Sequence, residues 1–402
     1  MAPVLRMTSS FLRTALILGL LSAIGPFAID MYLPALPAIG QNLGAPTGAV
    51  QGSLMSFFIA LGLGQVIYGP LSDQYGRKLP LYVGLVLFAV GSVGCALAPD
   101  IHTLVAMRFV QGLGACAGSV VPRAIVRDLH TGHQALRLMS MLMLVFSVSP
   151  ILAPLAGSLL TEALGWRSAF WFMLTAGLLG LLLVATQLRE TRSAAERRNS
   201  SWRQALAGYR TLLRDRHFLG LTFIGAFGIS SFFAYLANSS FVLIEHYGLT
   251  PRQYSVVFAS NAASFIGMSQ LTARLGKRFG LVPMVRAAAW GYAGTLSLLL
   301  VLFLLGADQL PVLLALLFIG YGLLGLIIPT SAILALEEHG PIAGTASALM
   351  GTLQFATGAV VMALTGLFVD GTGLPMVAGI AGSSLLCWGL VRGTLGAARP
   401  PA

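Results

Sequence analysis

Long apolar runs separated by short polar joints repeat along the whole chain. A bilayer-spanning helix needs about 20 mostly apolar residues. Windows of that kind fall at 14–38, 49–71, 79–98, 103–122, 138–161, 168–188, 218–243, 253–273, 287–307, 309–334, 342–367 and 371–391. Ten of them hold no charged residue, while the first contains Asp30 and the fourth Arg108. The joints carry Pro, Gly, Asn or charge, as in Gly44-Ala45-Pro46-Thr47-Gly48. The pattern predicts an all-α membrane protein of twelve transmembrane helices. Arg6 and Arg13 precede the first apolar run, as in a signal peptide. That run resumes after Asp30 without a small-x-small cleavage site, so a retained first helix is the expectation.

The longest polar stretch, 189–217, separates six windows from six. This predicts an N-terminal bundle over 1–188, a linker over 189–217 and a C-terminal bundle over 218–402. The linker's arginines are expected to rest against anionic headgroups, or to be solvated only. Gly76-Arg77-Lys78 and Gly276-Lys277-Arg278 follow the second window of each half and hint at a duplicated unit.

Composition fits this picture: 56% of the 402 residues are hydrophobic and 9% charged, against about 25% charged in soluble domains. The net charge of +11 would suit nucleic acid, but placement decides otherwise. Of the 24 Lys and Arg, 21 fall on one side of the predicted helices, Arg167 and Arg252 on the other, and Arg108 inside a window. The positive-inside rule then places both termini in the cytoplasm. The acidic Glu337-Glu338-His339 joint departs from this trend. Cys95, Cys116 and Cys387 lie far apart in apolar stretches, and His130 and His133 lack nearby partner ligands, so neither a disulfide framework nor a metal site is expected. No GxxxxGK[ST] loop is present, so no nucleotide cofactor is expected. No nucleophile–base pair is visible, which argues against an enzyme.

Four segments carry further chemistry. The joint after the second window reads GPLSDQYGRKLPL. There Gly69 permits close helix approach, Gly76 a tight turn, and Asp73 beside Arg77 and Lys78 forms a charge-assisted latch. The fourth window reads RFVQGLGACAG: Gln111 and Gly112 share a face with Arg108, and Gly114 and Gly118 form a small-xxx-small stripe. The fifth, SVSPILAPLAGS, places Pro150, Pro154 and Gly157 where a helix would bend. The first ends in IDMYLPALP.

GPLSDQYGRKLPL resembles the loop signature of the major facilitator superfamily, and RFVQG its fourth-helix motif. With SVSPILAPLAGS, IDMYLPALP and AGTASALMGT (343–352), the chain resembles the Bcr/CflA group of bacterial drug-resistance exporters. The fifth-helix segment has less Gly than the exporter signature, and Arg123 is a departure without an interpretation. The resemblance implies two six-helix bundles working by alternating access, proton-driven efflux across a bacterial inner membrane, and a hinge at Pro150, Pro154 and Gly157. It implies that Asp73 faces the positive end of a second-half helix near Gly340 to Thr345. Phenicol-, bicyclomycin- or sulfonamide-like drugs are the substrates it suggests, and a monomer is expected. A nutrient importer on the same scaffold and a non-transporting receptor are the alternatives.

An intramembrane charge costs roughly 2.5–3.5 kcal/mol on insertion scales. Asp30 lies about 25 Å along the first helix from Arg13, and Arg108 about 9 Å along the fourth from His102, at 1.5 Å per residue. Both therefore sit at similar depth in the outer half, where they pair across the bundle or share its cavity. A carboxyl group that alternates between a partnered and a desolvated setting can carry a proton; a purely structural bridge is the alternative. Ser231, Tyr235 and Asn238 form a polar stripe on the seventh helix. With Tyr32, Gln111, Tyr321 and Gln354 they are cavity candidates, helix–helix hydrogen bonding being the alternative for each.

Overall fold

The computed structural model describes residues 9–130, 132–198 and 201–396. Arg6 and Arg399, both counted on the basic side, lie outside the described residues, as does the side chain of His133. In chain order the helices are α1 (Ser9–Asp30), α2 (Leu36–Leu43), α3 (Thr47–Tyr75), α4 (Lys78–Ala96), α5 (Ile101–Leu129), α6 (Gly132–Leu164), α7 (Arg167–Thr186), α8 (Ala194–Arg198), α9 (Trp202–Leu212), α10 (Arg216–Ser240), α11 (Pro251–Phe279), α12 (Leu281–Leu304), α13 (Leu310–Glu337), α14 (Ala343–Leu367) and α15 (Leu374–Leu395). One 3₁₀ turn, Leu33–Ala35, joins α1 to α2, and another, Gly340–Ile342, precedes α14. A π-helical turn, Phe241–His246, extends α10.

Among the described residues, eleven segments are long and apolar enough to cross a membrane, α1 and α2 counting as one. The twelfth predicted crossing, α11, has 29 residues but is more polar. It packs between α6 and α13 like its neighbours. Exposed Leu16, Leu20, Leu63, Leu182, Trp290 and Leu364 give the outer surface its apolar character. Such a surface is stable against lipid, and the helices satisfy their own backbone groups there.

The packing repeats between the halves. In the first, α3 lies on α5, α4 on α5 and α7, and α1 on α6; in the second, α11 lies on α13, α12 on α13 and α15, and α10 on α14. The halves meet through two matching pairs, α3 with α14 and α6 with α11. Gly76 has φ +92° and makes the turn after α3. Its counterpart is not Gly276, which lies inside α11, but Gly280, with φ +82°. The two helices are equally long, 29 residues each, but in α11 the basic residues precede the turn, so Lys277 and Arg278 sit in its last helical turn, where the negative dipole end favours them.

Glycine stripes set the interhelical distances. A Cβ on Gly114 would collide with the Phe88 backbone of α4, and one on Gly118 would come within 2.6 Å of the Leu21 carbonyl of α1. The predicted stripe therefore seats α5 against two helices rather than one.

Candidate functional site

α1 ends at Asp30 for a local reason. Pro34 has no N–H to offer the Asp30 carbonyl four residues back, so the α-helical ladder cannot continue. The Tyr32 N–H turns to the Ile29 carbonyl at 3.3 Å. This leaves the Ala28 carbonyl open to another donor, and Arg108 supplies it at 3.2 Å. A cation is thus placed at the negative end of a helix dipole. The same Nη1 donates to Gln111 Oε1 at 2.6 Å. The guanidinium carbon lies 4.4 Å from the Tyr32 ring centre and 4.2 Å from that of Phe57. Fully buried, Arg108 trades hydration for two acceptors and aromatic faces.

Among the described residues no ion pair joins Arg108 to Asp30, so the direct bridge left open by the sequence is not formed. Asp30 turns instead to α6, where Ser149 donates to it at 3.4 Å. Asp30 is 6% exposed and Arg108 0%. Similar depth did not bring the two together, because depth leaves the direction around the helix axis undetermined. The α6 segment that meets Asp30 is the one carrying Pro150, Pro154 and Gly157. It stays one continuous helix. A Cβ on Gly157 would overlap the Met31 carbonyl, and the Pro154 carbonyl accepts from Ser255 of α11 at 2.9 Å.

At the arginine-rich face the latch is more extensive than the sequence suggests. Arg77 donates to Asp73 at 2.8 Å, to Ser72 at 2.7 Å, and through Nε and Nη2 to Asp128 at 2.7 and 3.0 Å. Asp128, at the end of α5, is the bidentate partner that sequence reading missed. Arg192 reaches Asp73 at 3.4 Å. Glu190 accepts from the backbone N–H groups of Arg77 (2.8 Å) and Lys78 (3.1 Å), which open α4. It also accepts from those of Thr191 and Arg192. Partial burial pushes the Glu190 carboxyl up, but these four donors outweigh it and hold it below the usual range. A Cβ on Gly76 would come 2.6 Å from that carboxylate. Gly69 faces open space, with nothing within 4 Å of an added Cβ, and so makes no close helix approach. Lys78 lies 5.7 Å from the Tyr82 ring centre. Among the described residues the ion pairs of Asp73 are to Arg77 and Arg192. Arg127 is the side chain against Gly344, its Nη1 3.6 Å from a Cβ placed there.

A cavity of about 680 Å³ opens on this face between the halves, lined by Asp73, Arg123, Arg127, Tyr209 and Thr345 among others. It shares Gln65, Arg123 and Ser347 with a deeper section of about 250 Å³ that reaches Pro26, Gln354 and Phe355. Two layers close the way beyond. Phe58, Phe233 and Phe355, from α3, α10 and α14, stack with ring centres 4.5 to 5.7 Å apart. Nearer the opposite face, Gln51 donates to Asn238 at 2.9 Å. Arg252 also pairs with Glu162 there, at 2.7 Å. Seven residues of α3 separate Gln51 from Phe58, about 10 Å.

Of the cavity candidates, Gln354 lines the deep section. Asn238 belongs to the seal and to a separate hollow of about 330 Å³ on the opposite face. The others are buried among helices. Tyr32 bonds Ser53 at 2.7 Å, and Gln111 donates to Ser92 at 2.8 Å. Ser231 meets Tyr292, Asn261 donates to Tyr235 at 3.3 Å, and Tyr321 donates to the Ser231 carbonyl at 3.4 Å. In this conformation those five make the helix–helix hydrogen bonds that the alternative reading describes. Gln65, Ser119 and Ser347 line the cavity without having stood out, being single small or amide side chains in apolar runs.

Comparisons with known proteins agree with this architecture. The Major Facilitator Superfamily profile matches residues 18–362. The chain is 36% identical to an uncharacterised MFS-type transporter, YdgK, of Bacillus subtilis, over 96% of this chain and 97% of the relative. It is 30% identical to a bicyclomycin resistance protein homolog of Haemophilus influenzae, over 90% and 91%. Among solved structures, a D-xylose–proton symporter superposes with a TM-score of 0.73 over 94% of this chain and 98% of the other at 18% identity, which speaks for the fold alone. The chain is thus a multi-pass membrane transporter of the Major Facilitator Superfamily, of the Bcr/CflA type to which its loop and helix signatures point.

Proposed function

We propose that this transporter exports small lipophilic drugs from the cytoplasm of a bacterium in exchange for protons, rocking bundles 1–188 and 218–402 about a central site while 189–217 links them. The observation that carries it is the pairing of a cavity open to one face with a sealed carboxyl group at the bent end of α1. The relatives named for bicyclomycin and multidrug resistance support drugs as the ligand class, and resistance through a transporter favours export. The excess of basic residues makes the open face cytoplasmic. The conformation is then inward-open.

Asp30 is the proton carrier in this scheme. Its contact with Ser149, and the seat of Gly157 on Met31, join the carboxyl to α6, which also touches α11 of the other bundle. A change in charge at Asp30 is therefore felt where the bundles meet. Arg108 acts as a fixed cation holding the end of α1. Asp73, Arg77 and Asp128 brace the cytoplasmic ends, with Pro150 and Pro154 marking where α6 yields. Phenicol-, bicyclomycin- and sulfonamide-like compounds are the first candidates, carried by a monomer.

The test is drug-induced proton flux in everted membrane vesicles. Wild type is expected to release protons on addition of substrate and to accumulate drug against a gradient. Asp30→Asn is expected to lose accumulation while still binding drug. Retained accumulation by Asp30→Asn would remove Asp30 from the scheme.

A further inference from the structure

We infer that the inward-facing cavity is built for lipophilic acids bound as anions, with Arg123 as the group that receives their charge. This deepens the export reading and rests on it for the direction of transport only. The deep section of the cavity draws its lining from α1, α3, α5 and α14, and among the described residues Arg123 is the one charged group in that lining. Around it are Pro26, Ile29, Leu61, Met350 and Phe355, an apolar wall suited to a ring system. Gln65 and Gln354 supply neutral hydrogen-bonding groups.

The wider mouth reinforces the sign. Among the described residues its charged lining is four arginines, Arg77, Arg123, Arg127 and Arg192, against two aspartates, Asp73 and Asp128. Both aspartates are engaged: Arg77 holds each of them, and Arg192 adds to Asp73. Arg123 and Arg127 lie one helical turn apart and so project from one side of α5. Arg127 reaches across to the start of α14 at Gly344, setting its charge beside the positive end of that helix. The Nε of Arg123 donates to the Ser119 carbonyl at 2.9 Å, which fixes the plane of its guanidinium within the cavity wall. A fixed, planar guanidinium matches a carboxylate or sulfonamide anion by its fork of donors. Asp30, the acid that would draw a cation inward, lies behind the wall and does not line either section.

A drug-sized cation entering this cavity meets an excess of like charge, since Asp73 and Asp128 are held by arginines and the deep section offers Arg123. An anion meets a net positive lining at the mouth and Arg123 in the deep section. Arg123 thus sets specificity by charge, and the apolar wall leaves the shape of the ring body loosely specified.

The experiment uses purified full-length protein in phosphatidylcholine nanodiscs, with no pH gradient, and three probes that share one ring: 1-naphthoate, 1-naphthamide and 1-naphthylmethylammonium. Binding is measured by calorimetry. Naphthoate is expected to bind at least tenfold more tightly than naphthamide, and the ammonium probe most weakly. Arg123→Gln is expected to weaken naphthoate at least tenfold and to leave naphthamide within twofold. Arg123→Lys, which keeps the charge without the fork, is expected to restore part of the loss relative to Arg123→Gln, which a role in packing alone would not produce. The inference fails if naphthoate does not bind, if the ammonium probe binds as well as naphthoate, or if Arg123→Gln weakens acid and amide alike. Asp30→Asn is expected to preserve the order of the three probes. Proton-driven flux retained by Asp30→Asn would therefore count against the coupling scheme and leave this charge preference standing.

Discussion

Asp30 and Gly157 depend on each other. The glycine lets α6 approach the Met31 backbone closely, and that approach keeps Ser149 within reach of the carboxyl. Gly157→Ala forces a methyl group into the Met31 carbonyl, and overpacking of this kind costs about 1–3 kcal/mol. Its melting temperature in detergent is expected to fall, and its proton-coupled transport with it; an unchanged melting temperature would mean that α1 and α6 are not held so closely. The two buried charges were legible as anomalies, since apolar windows do not carry charge without reason. Their separate partners were not legible. Linear distance gives depth in the membrane, whereas the direction around the helix is set by where Pro34 ends the ladder and by which aromatic rings receive the guanidinium. The tyrosines of the second bundle show the same limit: a polar stripe inside a membrane helix marks either water or another helix, and Ser231, Tyr235 and Tyr321 found other helices.

At the scale of the element, the start of α4 is a capping site made by a residue 113 positions away, as Glu190 closes the backbone donors of Arg77 and Lys78. Capping of this kind is worth about 1 kcal/mol. The carboxyl is held below its ordinary range, so it stabilises the fold fully above that range. The contribution is lost as the pH falls through the lowered value. Glu190→Ala is expected to lower thermal stability at neutral pH. The gap to wild type should close on acidification, and a gap that did not vary with pH would assign Glu190 to packing instead. Sequence reading found the Asp73–Arg77 half of this joint because the two lie one helical turn apart. It missed Asp128 and Glu190 because each reaches the joint from a distant stretch.

For the molecule as a whole, helix count and two-bundle architecture were readable from apolar length, with α11 the most polar of the crossings. The conformation was not, since it depends on contacts between halves. The Gln51–Asn238 bond is one such contact, and the net value of a hydrogen bond is about 1 kcal/mol. Asn238→Ala should therefore shift the balance towards the outward-open form by roughly fivefold. A maleimide-labelling assay on Thr47→Cys would detect this as faster reaction at that face, an unchanged rate meaning that the aromatic layer alone decides closure. The three native cysteines are buried and keep the background low.

The placement of Asp30 has a bioenergetic consequence. It lines neither section of the open cavity and is 6% exposed, held among packed helices. In the proposed coupling scheme, an idle copy in this conformation therefore offers no wire for protons. On that scheme a cell could hold many such transporters at rest without discharging its membrane, and would spend its gradient only when cargo moves.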